Sequence, residues 1–265
     1  MTHTTGNQPM TDVSIAHHDK TLTLTLTRAN KKNAFTQQMY IDLANAINFA
    51  QHDHQTRVIV IQGCEGCFTA GNDMHDFASI KRHDSNSING TEQFMLALME
   101  SSLPVVAKVE GLAIGIGTTL LLHCDFVYAT PDAKFMMPFI NLGLVPEYAS
   151  SYILPRLTGH VKAAEWLMLG ETFSAQDARD AGMINAVIAP EDIDQKINQV
   201  VAKLVALPRI SMMQTKQLLK SNHEEVKKHV FKELEIFVSA MHSDAAQEAF
   251  SAFIEKRQPD FSAYV

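Results

Sequence analysis

Three cysteines in 265 residues are too few, and odd in number, for a disulfide framework, and they fit reduced thiols. No apolar stretch approaches the roughly eighteen consecutive residues that a membrane-spanning helix needs. The first dozen residues, Met1 to Asp12, are polar and contain no apolar run of the targeting kind. Basic residues are in deficit too. The 22 Lys and Arg stand against 29 Asp and Glu, for a formal charge of −7 and a pI near 5.9, whereas nucleic acids and acidic membranes demand a basic footprint. The expectation is a soluble, cytoplasmic protein with no nucleic-acid and no membrane partner, in which local groups hold any anionic ligand. No low-complexity tract or fixed-period repeat is evident. What the chain has is apolar material: at 46% hydrophobic it can bury a substantial core, and its length is near the upper size for one compact unit.

The apolar positions are ordered. Residues 21–27 alternate, with Leu22, Leu24 and Leu26 on one side and threonines on the other, which predicts a half-buried strand that residues 13–16 can join as a hairpin. From Thr36, a candidate N-cap, Met39, Leu43, Ala46, Ile47 and Ala50 recur at helical spacing through about residue 51. Residues 57–62 then read as a buried β-branched strand. The alternation returns with a helix over 92–101, a strand over 104–109, a helix over 115–123 and a strand over 125–129, which indicates an α/β architecture with much parallel pairing. Beyond Glu147 the reading is helix after helix, near 161–169, 174–181, 191–206, 209–220, 223–241 and 243–255, broken by one strand over 183–189. A soft boundary near residue 205 gives a core of 12–205 and a C-terminal helical region of 206–265. There, Phe231, Leu234, Phe237, Val238 and Met241 form an apolar stripe suited to internal packing or to contact between copies.

Two small-residue turns carry the candidate chemistry. Phe68-Thr69-Ala70-Gly71-Asn72-Asp73-Met74 follows the strand over 57–62, and Gly111-Leu112-Ala113-Ile114-Gly115-Ile116-Gly117-Thr118-Thr119 follows the next and leads into a helix. Such turns let a ligand approach the backbone and leave peptide N–H groups free to donate. Both can be ordinary tight turns; alternatively, they converge two N–H groups on one oxygen, as an oxyanion hole does. Phosphate binding fits less well, because neither turn ends in the Lys-Ser/Thr of a P-loop or carries a spaced G-x-G-x-x-G. The apolar flanks Leu112, Ile114 and Ile116 suit an acyl ligand.

With Lys32-Asn33-Ala34-Phe35, Cys124-Asp125 and Arg179-Asp180-Ala181-Gly182-Met183-Ile184, these turns form an ordered set that resembles the enoyl-CoA hydratase/isomerase (crotonase) superfamily from about Val13 to the C-terminus. The resemblance implies an α/β fold, a spiral of ββα repeats with a C-terminal helical trimerisation region, and assembly as a homotrimer or homohexamer. It implies an acyl-CoA thioester substrate and no separate cofactor, coenzyme A being part of the substrate. It places the oxyanion-hole donors on the backbone N–H of Asn72 and Ile116. Substrate and coenzyme A contacts fall on Lys32, Ala34, Thr69, Ala70, Gly71, Asp73, Met74 and Gly115.

The two glutamates that activate water in hydratases of this family fall on Thr119 and Phe139, and neither side chain is a base. One carboxylate remains. The segment from Leu142 to Tyr152 resembles the Leu-Gly-x-x-Pro-Glu-x-x-Ser-Ser-Tyr stretch of peroxisomal-type Δ3,Δ2-enoyl-CoA isomerases, whose single catalytic glutamate falls on Glu147, here after a turn and at the start of a helix. Leu144, Val145 and Phe139 are expected to raise its pKa. A surface glutamate favoured by a helix dipole is the plainer alternative. The resemblance thus implies an isomerase of fatty-acid degradation. A dienoyl-CoA isomerase, a weak hydratase or a catalytically silent acyl-CoA-binding subunit are the rivals. Cys64-Glu65-Gly66-Cys67 has C-x-x-C spacing but no second ligand pair, so two loop thiols are expected. His75 reads as a helix-surface residue, His123 as a packed, hydrogen-bonded histidine, and Asp73 as a brace for its loop.

Overall fold

A computed structural model describes residues 12–74 and 89–264; His75 lies outside them. The chain opens with an antiparallel hairpin, β1 (Val13–His18) and β2 (Thr21–Leu26), whose turn residues Asp19 and Lys20 are both left-handed, as a two-residue hairpin loop demands. The leucines of β2 are fully buried, as their alternation predicts. α1 (Gln37–His52) starts where the Thr36 hydroxyl accepts from the Met39 N–H. There follow β3 (Val58–Gln62), α2 (Asn89–Glu100), β4 (Val105–Val109), β5 (Leu112–Ile114), α3 (Ile116–Thr119) with a 3-10 turn over Leu120–His123, β6 (Phe126–Ala129) and β7 (Lys134–Met136).

Helices then dominate. α4 (Ser150–Thr158) and α5 (His160–Ala164) precede β8 (Phe173–Ser174), α6 (Ala175–Asp180) and β9 (Ala186–Val187). The chain closes with α7 (Ile193–Ala206), α8 (Arg209–Leu219), α9 (His223–Met241) and α10 (Asp244–Glu255). The strand expected over 183–189 shrinks to two residues paired with Tyr128 and Ala129 at the sheet edge, because the Met183 and Ile184 N–H groups donate to the Ala178 carbonyl and close the preceding helix. β5, β7 and β8 were not anticipated; at two or three residues each they are too short for a periodic signal.

Two sheets result, ordered β1-β2-β3-β4-β6-β9 and β5-β7-β8. Successive turns of the chain lay one strand in each: β4 then β5, β6 then β7. This is the α/β spiral that the resemblance implied, with a helical C-terminal region. The period of two sorts the large sheet's side chains: Val58, Val60 and Val106 pack with Ile193, Ile197 and Leu204 of α7, while Ile59, Ile61 and Val105 enter the main core. Leu234, Phe237 and Met241 of α9 and Phe250 of α10 enter that same main core. No helix of the described residues is long and apolar enough to cross a membrane.

Candidate active site

Stacking of consecutive turns sets the two candidate donors side by side. Thr69 bridges Ala113 in parallel, with Thr69 N–H to Leu112 O at 2.8 Å and Ile114 N–H to Thr69 O at 3.1 Å. Asn72 and Ile116 each lie three residues beyond a member of that bridge, so they occupy equivalent places on adjacent turns. Asn72 bridges Phe35 through its neighbours, with Phe35 N–H donating to Gly71 O at 2.8 Å and Asp73 N–H to Phe35 O at 2.9 Å; its own N–H faces the other way. Among the described residues neither the Asn72 nor the Ile116 N–H has a protein acceptor. The approach is close enough to require glycine: a Cβ on Gly71, whose φ is 88°, would sit 2.7 Å from the Ile114 carbonyl oxygen, and one on Gly117 would sit 2.4 Å from Thr69 Cγ2.

Both donors open on a largely apolar cavity of about 520 Å³. Of the expected contacts, Ala34, Ala70, Gly71 and Asp73 line it, as do Met74 and Gly115. Lys32 and Thr69 do not. Lys32 sits in a left-handed conformation, φ 50, which turns it to a separate cleft beside Cys64 and Cys67, and Lys31 lines the cavity in its place. Thr69 is fully buried; its hydroxyl donates to Asn33 O at 2.7 Å and accepts from Gly71 N–H at 3.1 Å, so it shapes the loop from behind. The far wall is Met136, Pro138, Phe139, Leu142 and Leu144, joined by Phe237 of α9 and Phe253 of α10.

Glu147 is 3% exposed, not a surface residue. It is not in α4 either: Tyr148 and Ala149, at φ 59 and 57, separate it from the helix start at Ser150. It does not line the cavity. The Thr119 hydroxyl donates to its Oε1, and Thr119 lies one turn after Ile116 on α3, so the carboxyl is tied to the element that carries the second donor. No described residue bonds Oε2. Burial drives the carboxyl from its ordinary 4.5 up to about 8; the Thr119 hydrogen bond opposes the rise and the charge of Glu233 adds to it.

Asp73 braces its loop, accepting from Arg28 Nη1 at 2.7 Å while the same guanidinium donates to Ala34 O at 3.0 Å. His123 is buried, and Nε2 lies 2.8 Å from the Tyr148 carbonyl. Burial lowers its pKa to about 3, so the ring is neutral and donates there. Cys64 and Cys67 face each other across a tight turn as free thiols. Sequence reasoning missed Tyr40, which is fully buried on α1 and donates to Asn72 Oδ1 at 2.5 Å. Its signal was available, since a tyrosine in an apolar helix face needs a partner for its hydroxyl.

The sequence model of enoyl-CoA hydratase/isomerase matches residues 17–263. A 2,3-dehydroadipyl-CoA hydratase of Escherichia coli (strain K12) is 29% identical over 254 residues, 95% of this chain and 99% of that protein. Enoyl-CoA delta isomerase 2 of Rattus norvegicus is 34% identical over 206 residues, 76% of this chain and 52% of that longer protein. Among solved structures, OdaA of Pseudomonas aeruginosa superposes with a TM-score of 0.86 at 41% identity, covering 92% of this chain and 98% of that one. Hydration and isomerisation both stand among these relatives, so the choice between them falls to the residues of the site.

Proposed function

The chain belongs to the enoyl-CoA hydratase/isomerase family, and from that premise we propose that it is a Δ3,Δ2-enoyl-CoA isomerase. Members of the family act on acyl-CoA thioesters and typically oligomerise; a cytoplasmic homotrimer or homohexamer is the assembly we propose. The thioester oxygen of a 3-enoyl-CoA sits between the N–H groups of Asn72 and Ile116, which stabilise negative charge there as C2 loses a proton. Glu147 takes that proton, the electron pair spreads over O, C2 and C4 as a dienolate, and the same acid returns the proton to C4. The double bond then lies between C2 and C3, and the carboxylate is regenerated. Oε2, which bonds no described residue, is the oxygen for this exchange, and Glu147 must move toward the cavity to reach the acyl chain.

The observation that carries the reading is one buried carboxyl, raised in pKa and tethered to the helical turn that begins with Ile116, beside positions 119 and 139 that hold no acid. Of the other buried carboxylates among the described residues, Glu233 bonds Ser151 and does not line the cavity, and Asp73 lines it but is held by Arg28. Hydration needs one group to activate water and another to protonate C2. The test is a side-by-side chromatographic assay at matched concentrations. A 3-enoyl-CoA is expected to isomerise at least about 10²-fold faster than the trans-2-enoyl-CoA of equal length is hydrated. Comparable rates would refute isomerase over hydratase.

A further inference from the structure

Glu233 has no part in the reaction as described, yet it is 7% exposed on the inner face of α9. Its Oε1 accepts from the Ser151 N–H at 3.1 Å and from the Ser151 hydroxyl, while Oε2 is buried without a partner. A half-satisfied buried carboxylate is a poor way to fill space, and an apolar side chain would be less costly there. Its position suggests what it is for. Ser151 is the second residue of α4, and Ser150, the first, returns its N–H (3.1 Å) and hydroxyl (2.6 Å) to the carbonyl of Glu147. Between Glu147 and α4 stand two non-glycine residues in left-handed conformation, Tyr148 and Ala149, which persist only where surroundings hold them. From the spiral side, the Tyr148 hydroxyl donates to Met95 O at 2.7 Å and His123 holds the Tyr148 carbonyl. From the C-terminal side, Glu233 holds Ser151.

We propose that Glu233 is a positioning residue for the reaction: through Ser151 it fixes the turn that presents Glu147, and with it the surroundings in which Glu147 titrates. The proposal rests on Glu147 being the reacting carboxylate. Two carboxyls in one apolar region do not both ionise readily, and Glu233 is among the causes that raise the pKa of Glu147. Burial raises its pKa, while the Ser151 hydroxyl and N–H, the Ala149 N–H and nearby His229 pull the other way. The remaining ionisable groups facing Glu147 are Tyr40 of α1 and Tyr148 of the turn, both neutral phenols with pKa raised foremost by burial.

Glu233→Gln keeps the shape and the acceptor for Ser151 while removing the charge. In protein carrying ¹³C at the glutamate Cδ, with the Glu147 signal assigned by its loss in Glu147→Gln, the Glu147 titration midpoint is expected to fall by roughly half to one pH unit. The acid limb of the kcat/KM profile for a 3-enoyl-CoA is expected to move down with it. Ser151→Ala removes a bond that favours the Glu233 anion, and should shift Glu147 the same way by less; it also serves if the glutamine variant does not fold. An unmoved Glu147 midpoint in a folded variant overturns the proposal. The midpoint is read without substrate, so absent isomerisation in the parent enzyme would remove the reading of the reaction and leave this result intact.

Discussion

Glu147→Gln is expected to make the protein slower and at the same time more stable, with a gain that grows with pH. Burial holds the carboxyl's pKa near 8 in the folded chain, against an ordinary 4.5 once unfolded. Between those values the folded state keeps a proton that the unfolded state releases, so stability falls as pH rises through the window. Each pH unit inside it is worth about 1.4 kcal/mol, which makes the full window on the order of 5 kcal/mol. Glutamine imitates the protonated acid: its oxygen still accepts from the Thr119 hydroxyl, and it never acquires the buried charge. The variant should match the parent near pH 4.5, where both are neutral, and exceed it by about 3–5 kcal/mol above pH 8. Urea unfolding at a series of pH values and one fixed protein concentration, since assembly would add to stability, measures the difference. Turnover of a 3-enoyl-CoA should fall by about 10²–10⁴-fold with acyl-CoA binding retained. A stability difference that stays flat across the window would show that this carboxyl titrates as an ordinary one, and the argument from burial to basicity would collapse.

Two further outcomes test the donors. Ile116→Ala keeps the peptide N–H, so its turnover should be close to normal despite a stability loss of about 2–4 kcal/mol for the buried side chain; Ile116→Pro, tolerable at a first helical position, should lose about 10²–10³-fold with the donor, and equal behaviour of the two variants would remove Ile116 from the mechanism. Gly71→Ala should cost about 1–3 kcal/mol and depress turnover more than binding, because its Cβ would drive the Asn72 loop from the Ile114 carbonyl; kinetics and thermal melts of the folded variant decide, and unchanged kinetics would show that the close approach is unimportant.

What was legible in the sequence is what repeats locally. The alternation of β2, the cap at Thr36 and the β-branched runs of β3 and β4 each depend on neighbours within one element, and the structure has them where they were expected. The two small-residue turns were legible as well, because a small-residue turn after a buried strand is a local pattern, whereas assigning donors to Asn72 and Ile116 within them came from the resemblance. Lys32 and Lys31 differ only in which side of a left-handed bend they leave, and nothing in two adjacent lysines shows that. Thr69 looks like a cavity residue until its hydroxyl is seen closing the loop behind it. Tyr40 and Glu233 act across 32 and 82 residues of chain, distances over which periodicity is silent.

The same distinction bears on which reaction is favoured. Position 119, where the resemblance places a hydratase carboxylate, holds a hydroxyl that donates to Glu147, and position 139 holds a phenyl ring on the cavity wall, edge-on to Phe237 at 6.3 Å. Each position lacks an acid and holds something that suits a proton shuttle: a tether for Glu147 in one case, an apolar wall unfavourable to water in the other. A buried carboxyl without an acid at position 119 or 139 is a poor activator of water, because neither position supplies a second acid or base, and among the described residues Asp73 on the cavity wall is tied to Arg28. It suits a reaction in which the proton removed and the proton returned are handled by one acid, and in which the intermediate's charge lies on an oxygen held by two peptide N–H groups. On this reasoning the two missing acids and the raised pKa of Glu147 are one adaptation, since the carboxylates that would have made hydration possible would also have made the site more polar and Glu147 a different base.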